Sequence, residues 1–311
     1  MRYAFYLSGE NLKLGIEEIK AFVNNVEVNG KIAIVDCEKF DFTRLAYTKK
    51  VTRLIVECKE KELLKKLKSA DFGITGAYCV RAINFSEKKA ADAVWNSFKA
   101  PEVNLEKPEH VIQVICENGS CYSGILEYDN QEEFSKRRPH LRPGFHPSSM
   151  LPKLARALVN LSRIKEGNTL LDPFCGTGGI LIEAGFMGIQ TIGLDINEEM
   201  LFLAERNLKK YTIKNYQLTK GDATKELPEC DAIVTDLPYG KSSSLFGKNR
   251  INLYNKFLKN AYSRLNSGRY CVLMIPNIVN VSIGKFKKES EIEHYVNKSL
   301  TRKILVLKKL N

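Results

Sequence analysis

Four aspartates and one glycine-rich turn carry most of the chemistry in these 311 residues. Asp172 opens Asp172-Pro173-Phe174-Cys175-Gly176-Thr177-Gly178-Gly179, and Asp222 sits in Gly221-Asp222-Ala223. Asp195 ends Thr191-Ile192-Gly193-Leu194-Asp195, and Asp236 begins Asp236-Leu237-Pro238-Tyr239-Gly240. An Asp-x-Pro-Tyr stretch at the carboxyl end of a strand suits alkylation of an exocyclic amino group on a nucleobase. That nitrogen's lone pair is delocalised into the ring, so it is a poor nucleophile. The Asp236 carboxylate and the Leu237 carbonyl can accept its two hydrogens and favour the pyramidal nitrogen that attacks a methyl donor. Pro238 fixes the carbonyl's direction, and Tyr239 offers a stacking face to a flipped base. The plain alternative is a strand-end turn with Tyr239 in the core, and these residues alone do not separate the two.

The glycine turn narrows the cofactor. A dinucleotide fingerprint needs a third glycine where Leu181 stands, and no Gly-Lys-Ser/Thr follows to make a phosphate loop. A carboxylate at Asp172 repels phosphates and attracts the ammonium of S-adenosylmethionine. Gly176 and Gly178 let the backbone approach a ligand, and a helix beginning near Gly179 points its dipole at the site. Asp195 has the spacing of the acid that holds two ribose hydroxyls. Asp222 can accept from an adenine amino group. Phe174, Cys175, Thr177, Ile196 and Ala223 flank these groups and complete the expected cofactor set. Cys175 reads as cofactor-proximal rather than nucleophilic, because a cysteine attacking a pyrimidine belongs beside the target base after a later strand. Cys230 and Cys271 lack that setting.

Strands alternating with helices must position these groups. Met150–Ser162 predicts a helix with a core stripe at Leu154, Leu158 and Leu161. Strands follow at 169–172, 191–195, 215–219, 231–235, 269–275 and 301–307, with helices over 179–186, 198–211 and 254–265. This is the pattern of a doubly wound parallel α/β sheet, with ligand groups at the carboxyl ends of its strands. The serine-rich Lys241–Asn252 reads as a loop, a candidate mobile lid. Before residue 134 the pattern is α+β: strands at 3–7, 31–35, 51–58, 75–82, 110–116 and 120–126, and helices over 10–24, 60–69 and 87–98. Trp95 is expected to pack against its own helix. Three prolines and a glycine in Phe134–Pro147 exclude an α-helix and mark a linker.

The net charge of +12 favours a polyanionic partner, and the excess lies in the second half. Residues 1–138 hold 22 basic and 21 acidic side chains, against 26 and 15 in residues 139–311. Eight cysteines without a Cys-x-x-Cys pair, alongside four histidines, argue against a metal site and against disulfides. No apolar run approaches the ~20 residues of a membrane span, and the apolar start is too short for a signal peptide. The expectation is a cytoplasmic protein.

At these residues the chain resembles class I S-adenosylmethionine-dependent methyltransferases. More narrowly it resembles the archaeal/eukaryal tRNA guanosine N2-methyltransferases that carry an N-terminal THUMP domain. Arg138-Pro139-His140-Leu141-Arg142-Pro143-Gly144-Phe145-His146-Pro147, Pro152–Leu161, the glycine turn and Asp-Leu-Pro-Tyr-Gly carry the likeness. It is weaker at Gly76–Ala82 and Pro108–Cys116. The resemblance implies a ferredoxin-like piece at 1–45, a THUMP RNA-binding domain at 46–133, a linker at 134–149 and a methyltransferase domain at 150–311. It implies transfer to the N2 amine of tRNA guanosine 10, giving one or two methyls. Read from their chemistry, Arg137, Arg138 and Arg142 are expected to contact tRNA phosphates, and His146 and Phe145 to close the cofactor pocket from the linker, with His146 as a packed or capping residue the equal alternative. The family's usual motif is Asp-Pro-Pro-Tyr, and Leu237 departs from it. A relative acting on guanosine 6 of tRNA carries a similar Leu-Pro-Tyr, so that target stays open. Ribosomal-RNA guanine, DNA adenine-N6 and non-catalytic tRNA-binding readings are the rivals. Neither a metal nor a membrane is expected, and the need for an activator subunit stays open.

Overall fold

The computed structural model describes residues 1–38, 40–238, 248–298 and 300–310. The chain divides into two compact units, Met1–Glu132 and Glu133–Asn311.

In the first unit, seven strands join in one sheet. They are β1 (Arg2–Leu7), β2 (Val26–Asn29), β3 (Ile32–Asp36), β4 (Thr48–Lys59), β5 (Tyr78–Ile83), β6 (His110–Glu117) and β7 (Ser120–Asp129), in the order β2-β3-β1-β4-β7-β6-β5. Only β5 and β6 pair in parallel. The strands of residues 1–45 are thus hydrogen-bonded to those that follow, through β1 and β4. Three helices cover the sheet: α1 (Leu12–Lys20), α2 (Leu63–Lys68) and α3 (Glu87–Trp95). Asn11 and Ser86 start α1 and α3 by accepting hydrogen bonds from Leu14 and Lys89 amides. The buried Glu18 of α1 accepts from the Ala46 and Tyr47 amides at 2.8 Å each, pinning the chain that enters β4.

Two expectations fail here. Trp95 closes α3 with 51% of its surface exposed, because Ala90, Ala93 and Val94 already fill the face turned to the sheet. Cys116 and Cys121 form a disulfide. The tight Asn118-Gly119 turn, with both residues at positive φ, sets them directly opposite across the β6–β7 hairpin.

The second unit opens with two 3₁₀ turns, Phe134–Arg137 and Pro139–Leu141, and then α4 (Pro152–Leu161). It continues with β8 (Thr169–Asp172), α5 (Gly179–Gly185), β9 (Gln190–Asp195), α6 (Glu198–Lys210), β10 (Tyr216–Lys220) and β11 (Cys230–Asp236). The last elements are α7 (Lys248–Arg264), β12 (Leu265–Pro276), β13 (Lys287–Asn297) and β14 (Leu300–Lys308). The sheet order is β10-β9-β8-β11-β12-β14-β13; the first five strands are parallel, β14 is antiparallel to β12, and β13 is antiparallel to β14. The expected α/β sheet is therefore present but mixed, with an antiparallel hairpin at one edge. Leu154, Leu158 and Leu161 are buried as the stripe requires. A larger core gathers around β11, β12 and β14 under Tyr254, Phe257, Leu258 and Ala261 of α7. Residues 248–252, read as loop, are the first turns of α7. The rest of the expected lid, 241–247, lies outside the described residues, as do Tyr239 and Gly240.

Candidate active site

Strand order reverses between β8 and β11. β9 and β10 follow β8 on one side, while β11 and β12 extend the other. Such a switch point opens a crevice at the carboxyl ends of the strands. The expected acids fall there, because each ends or follows one of these parallel strands. Asp172 ends β8, Asp195 ends β9, Asp222 follows β10 and Asp236 ends β11.

Asp172 is 1% exposed. Its Oδ1 accepts from the Thr235 hydroxyl at 2.7 Å and the Phe174 amide at 3.3 Å. Burial pushes its carboxyl up to about 7; these bonds oppose the shift, and the nearby charges of Asp236 and Asp195 add to it. Asp195 is held by two amides, Gly176 N–H on Oδ2 and Asn197 N–H on Oδ1, each at 2.9 Å. Asn197 then caps α6 through the Glu199 amide. Gly176 and Gly178 have φ of 49° and 79°, the left-handed region. A Cβ on Gly176 would meet nothing within 4 Å, so the turn's outer side is open. Cys175 faces the other way. Its sulfur lies where a Cβ on Gly193 would touch it at 3.0 Å, and burial raises its thiol well above the ordinary value. That thiol stays protonated near neutrality, which suits a packed residue and not a nucleophile. The Asp222 carboxyl is lowered, chiefly by the Thr224 amide at 2.9 Å and further by its hydroxyl at 2.8 Å. Ile196 is 70% exposed just past Asp195, whereas Ala223 is buried. An open glycine bend, a tethered carboxylate and an exposed aliphatic at adjacent strand ends could hold the amino-acid, ribose and adenine parts of S-adenosylmethionine.

The proline-rich segment lies against this turn within the second unit. Asn207 of α6 accepts from the Gly144 amide at 2.8 Å and donates to the Gly144 and Thr177 carbonyls at 2.9 Å each. Ser149 and Thr177 hydroxyls meet at 2.8 Å. His146 bonds its own turn, through Ser148, with Nδ1 and Oγ 2.7 Å apart. Two of the three arginines expected to contact RNA are structural. Arg137 donates Nε and Nη2 to the buried Glu183 of α5, at 2.9 and 3.1 Å. Arg156 of α4 donates to the same carboxylate at 3.1 Å. Arg142 is 4% exposed, and its Nε donates to the Arg137 carbonyl. Burying Glu183 requires cations around it, and Arg137 of the segment and Arg156 of α4 supply them. Arg138 is exposed, as a phosphate contact requires, and Phe145 is exposed too.

Asp236 is flanked by two residues that the motif gave no hint of. Arg302 of β14, 2% exposed, donates Nη1 to Asp236 Oδ2 at 2.7 Å and Nη2 to Oδ1. Burial raises the Asp236 carboxyl and Arg302 opposes that shift. The Tyr254 hydroxyl of α7 donates to the Pro238 carbonyl at 2.6 Å, and the Leu237 amide donates to the Met274 carbonyl at 3.1 Å. Asp236, Leu237 and Pro238 are thus held from three elements. The Arg302 signal was in the sequence as a charged residue entering the apolar run Ile304-Leu305-Val306-Leu307. The roles of Asn207 and Tyr254 depend on contacts that no local pattern records.

A sheet with this switch point, a glycine bend and acidic strand ends defines a methyltransferase-type α/β domain. The RMKL-like methyltransferase domain profile matches residues 139–304, and the chain belongs to that family, whose methyl donor is S-adenosylmethionine. A DNA methylase profile matches residues 19–206, a range that stops short of Asp236. The tRNA (guanine(10)-N2)-dimethyltransferase of Methanothermobacter thermautotrophicus is 41% identical over 215 residues, 67% of this chain and 64% of that protein. The protein of the same name from Methanocaldococcus jannaschii is 41% identical over 220 residues, covering 67% and 60%. The chain thus spans a little under two thirds of the length of these relatives. In fold, it resembles the crystal structure of TrmN from Thermus thermophilus, with a TM-score of 0.51 at 20% identity over the whole of both chains.

Proposed function

We propose that the chain is a tRNA (guanine-N2)-methyltransferase that modifies guanosine 10. The reading rests on one observation above others: an acid followed by Leu-Pro ends the strand beside the glycine bend, in a chain 41% identical to enzymes named for that reaction. When bound, S-adenosylmethionine supplies an electrophilic methyl group. Gly176, Thr177 and Gly178 make room for it, with Phe174 and Cys175 shaping the bend. Asp195 and Ile196 take its ribose, Asp222 and Ala223 its adenine, and Asp172 sets the charge beneath the amino-acid end. His146 borders the same pocket.

On the substrate side, Asp236 and the Leu237 carbonyl accept the two amino hydrogens of a guanine turned out of its stack, at a cost of a few kcal/mol. Pro238 sets the carbonyl's direction, and Tyr239 stacks on the base. Asp236 orients the nitrogen's lone pair and can take up its proton. The first unit, read as ferredoxin-like and THUMP regions, docks tRNA by shape and phosphate contact, and the exposed Arg138 offers a phosphate contact from the second unit. The protein is read as cytoplasmic, where that substrate resides. Because Leu237 replaces a proline, guanosine 6 is the second reading. An Asp236→Ala variant tests the assignment: cofactor and tRNA binding should persist while methyl transfer falls on the order of 100–1000-fold. Retained turnover would remove Asp236 from the chemistry.

A further inference from the structure

A carboxylate largely withdrawn from water, as Asp236 is with 18% of its side chain exposed, is costly to keep charged. Two strand spacings, roughly 10 Å, separate β11 from β14, so only a long side chain from β14 reaches it. Register fixes which one. Asp236 lies opposite Met274 on β12, and Arg302 lies opposite Pro276, two residues further along the same strand. The side chain reaches across β12, with Nη2 also 3.3 Å from the Met274 carbonyl, and meets both carboxylate oxygens.

We propose that Arg302 is a positioning residue for methyl transfer: its fork supplies the counter-charge and fixes the plane of the Asp236 carboxylate, so that the free lone pairs face the substrate amine. A carboxylate has about four acceptor directions, and a bidentate fork uses two. The remaining two are left by the fork for another donor. Lysine could supply the charge but not the plane. Asp172 of β8, Tyr254 of α7 and His294 of β13, opposite Arg302, interact electrostatically with the pair, with Asp195 of β9 beyond Asp172 and Arg250 of α7 beyond Tyr254. None of the described ones provides a second cation on Asp236 at hydrogen-bonding distance. This inference rests on the role assigned to Asp236 above.

The test uses the full chain, radiolabelled S-adenosylmethionine and unfractionated tRNA from a strain lacking the modification. Arg302→Gln removes the opposing cation, so the Asp236 carboxyl rises and less of it is ionised near neutrality. Its kcat should fall on the order of 100-fold at about pH 7, with KM values within about threefold. Its acid limb should move to higher pH, so that rate is regained as the solution is made alkaline. Arg302→Lys keeps the charge and should lose about tenfold in kcat with an unmoved acid limb. Wild-type kcat and pH profile in Arg302→Gln, or wild-type kcat in Arg302→Lys, would overturn the proposal. So would a loss in Arg302→Gln that is equal at every pH and matched by weaker cofactor binding, the mark of a packing residue. If Arg302→Gln does not fold, Arg302→Lys decides. Asp236→Asn at full rate would instead overturn the underlying role of Asp236. A dead Asp236→Asn beside a fully active Arg302→Gln would sink the Arg302 role alone.

Discussion

Replacing Arg137 by alanine separates a structural arginine from an RNA-binding one. Glu183 is fully buried and shared by Arg137 and Arg156, and the Arg137 guanidinium also lies 5.1 and 4.9 Å from the ring centres of Phe134 and Phe186. Removing one partner of a buried pair costs about 3–5 kcal/mol, because the remaining charge is left uncompensated. Arg156 still faces Glu183 in the variant, so the lower end applies, about 3 kcal/mol. For a unit of this size that lowers the melting temperature by about 6–12 °C. Differential scanning calorimetry of the full chain reads the shift, and filter binding to tRNA is measured beside it. Arg138→Ala should behave oppositely, with an unchanged melt and weaker, less salt-dependent tRNA binding. A shift under about 2 °C for Arg137→Ala, with tRNA affinity reduced, would refute the structural assignment.

The glycine bend gives a graded pair. Gly176→Ala pays backbone strain of about 1–2 kcal/mol, but its methyl enters open space, so cofactor affinity should fall far more than stability. Gly178→Ala pays similar strain and also sets a methyl 3.3 Å from Ala204 Cβ, so the melt should suffer more; equal cofactor Kd for wild type and Gly176→Ala would move the ligand elsewhere. Asn207→Ala leaves buried backbone groups of Gly144 and Thr177 unpaired and should cost about 2–4 kcal/mol in urea denaturation. Asp172, at about 7 when folded, holds its proton more tightly than in the unfolded chain. Its contribution to stability is therefore greatest below the unfolded value of about 4 and is lost as pH rises toward 7. Asp172→Asn should flatten that slope in denaturation curves taken across the window, and an unchanged slope would contradict the assignment.

Most of the sheet was legible because parallel strands buried on both faces read as short apolar runs. Thr169–Asp172 and Cys230–Asp236 are such runs, and their ends carried the acids into view. β2 and β13 were missed because both are polar edge strands; of the eleven residues in β13 only Ile292 is fully buried. The beginning of α7 was missed because its first turns are polar and lack the spacing that marks a buried face. Charge spacing alone cannot tell a surface arginine from Arg137, whose carboxylate partner Glu183 arrives from a distant helix, or from Arg142, which packs inside with its Nε on the Arg137 carbonyl. Arg302 escaped for the same reason, as it lies 66 residues from Asp236.

The most direct measurement is the identity of the nucleoside produced. The chain is incubated with labelled S-adenosylmethionine and separate pools of unmodified tRNA, ribosomal RNA and DNA, and each pool is digested and resolved by mass spectrometry. The account predicts N2-methylated guanosine, traced to position 10, in tRNA alone. Label in N6-methyladenine of DNA, or in ribosomal RNA but not tRNA, would contradict it.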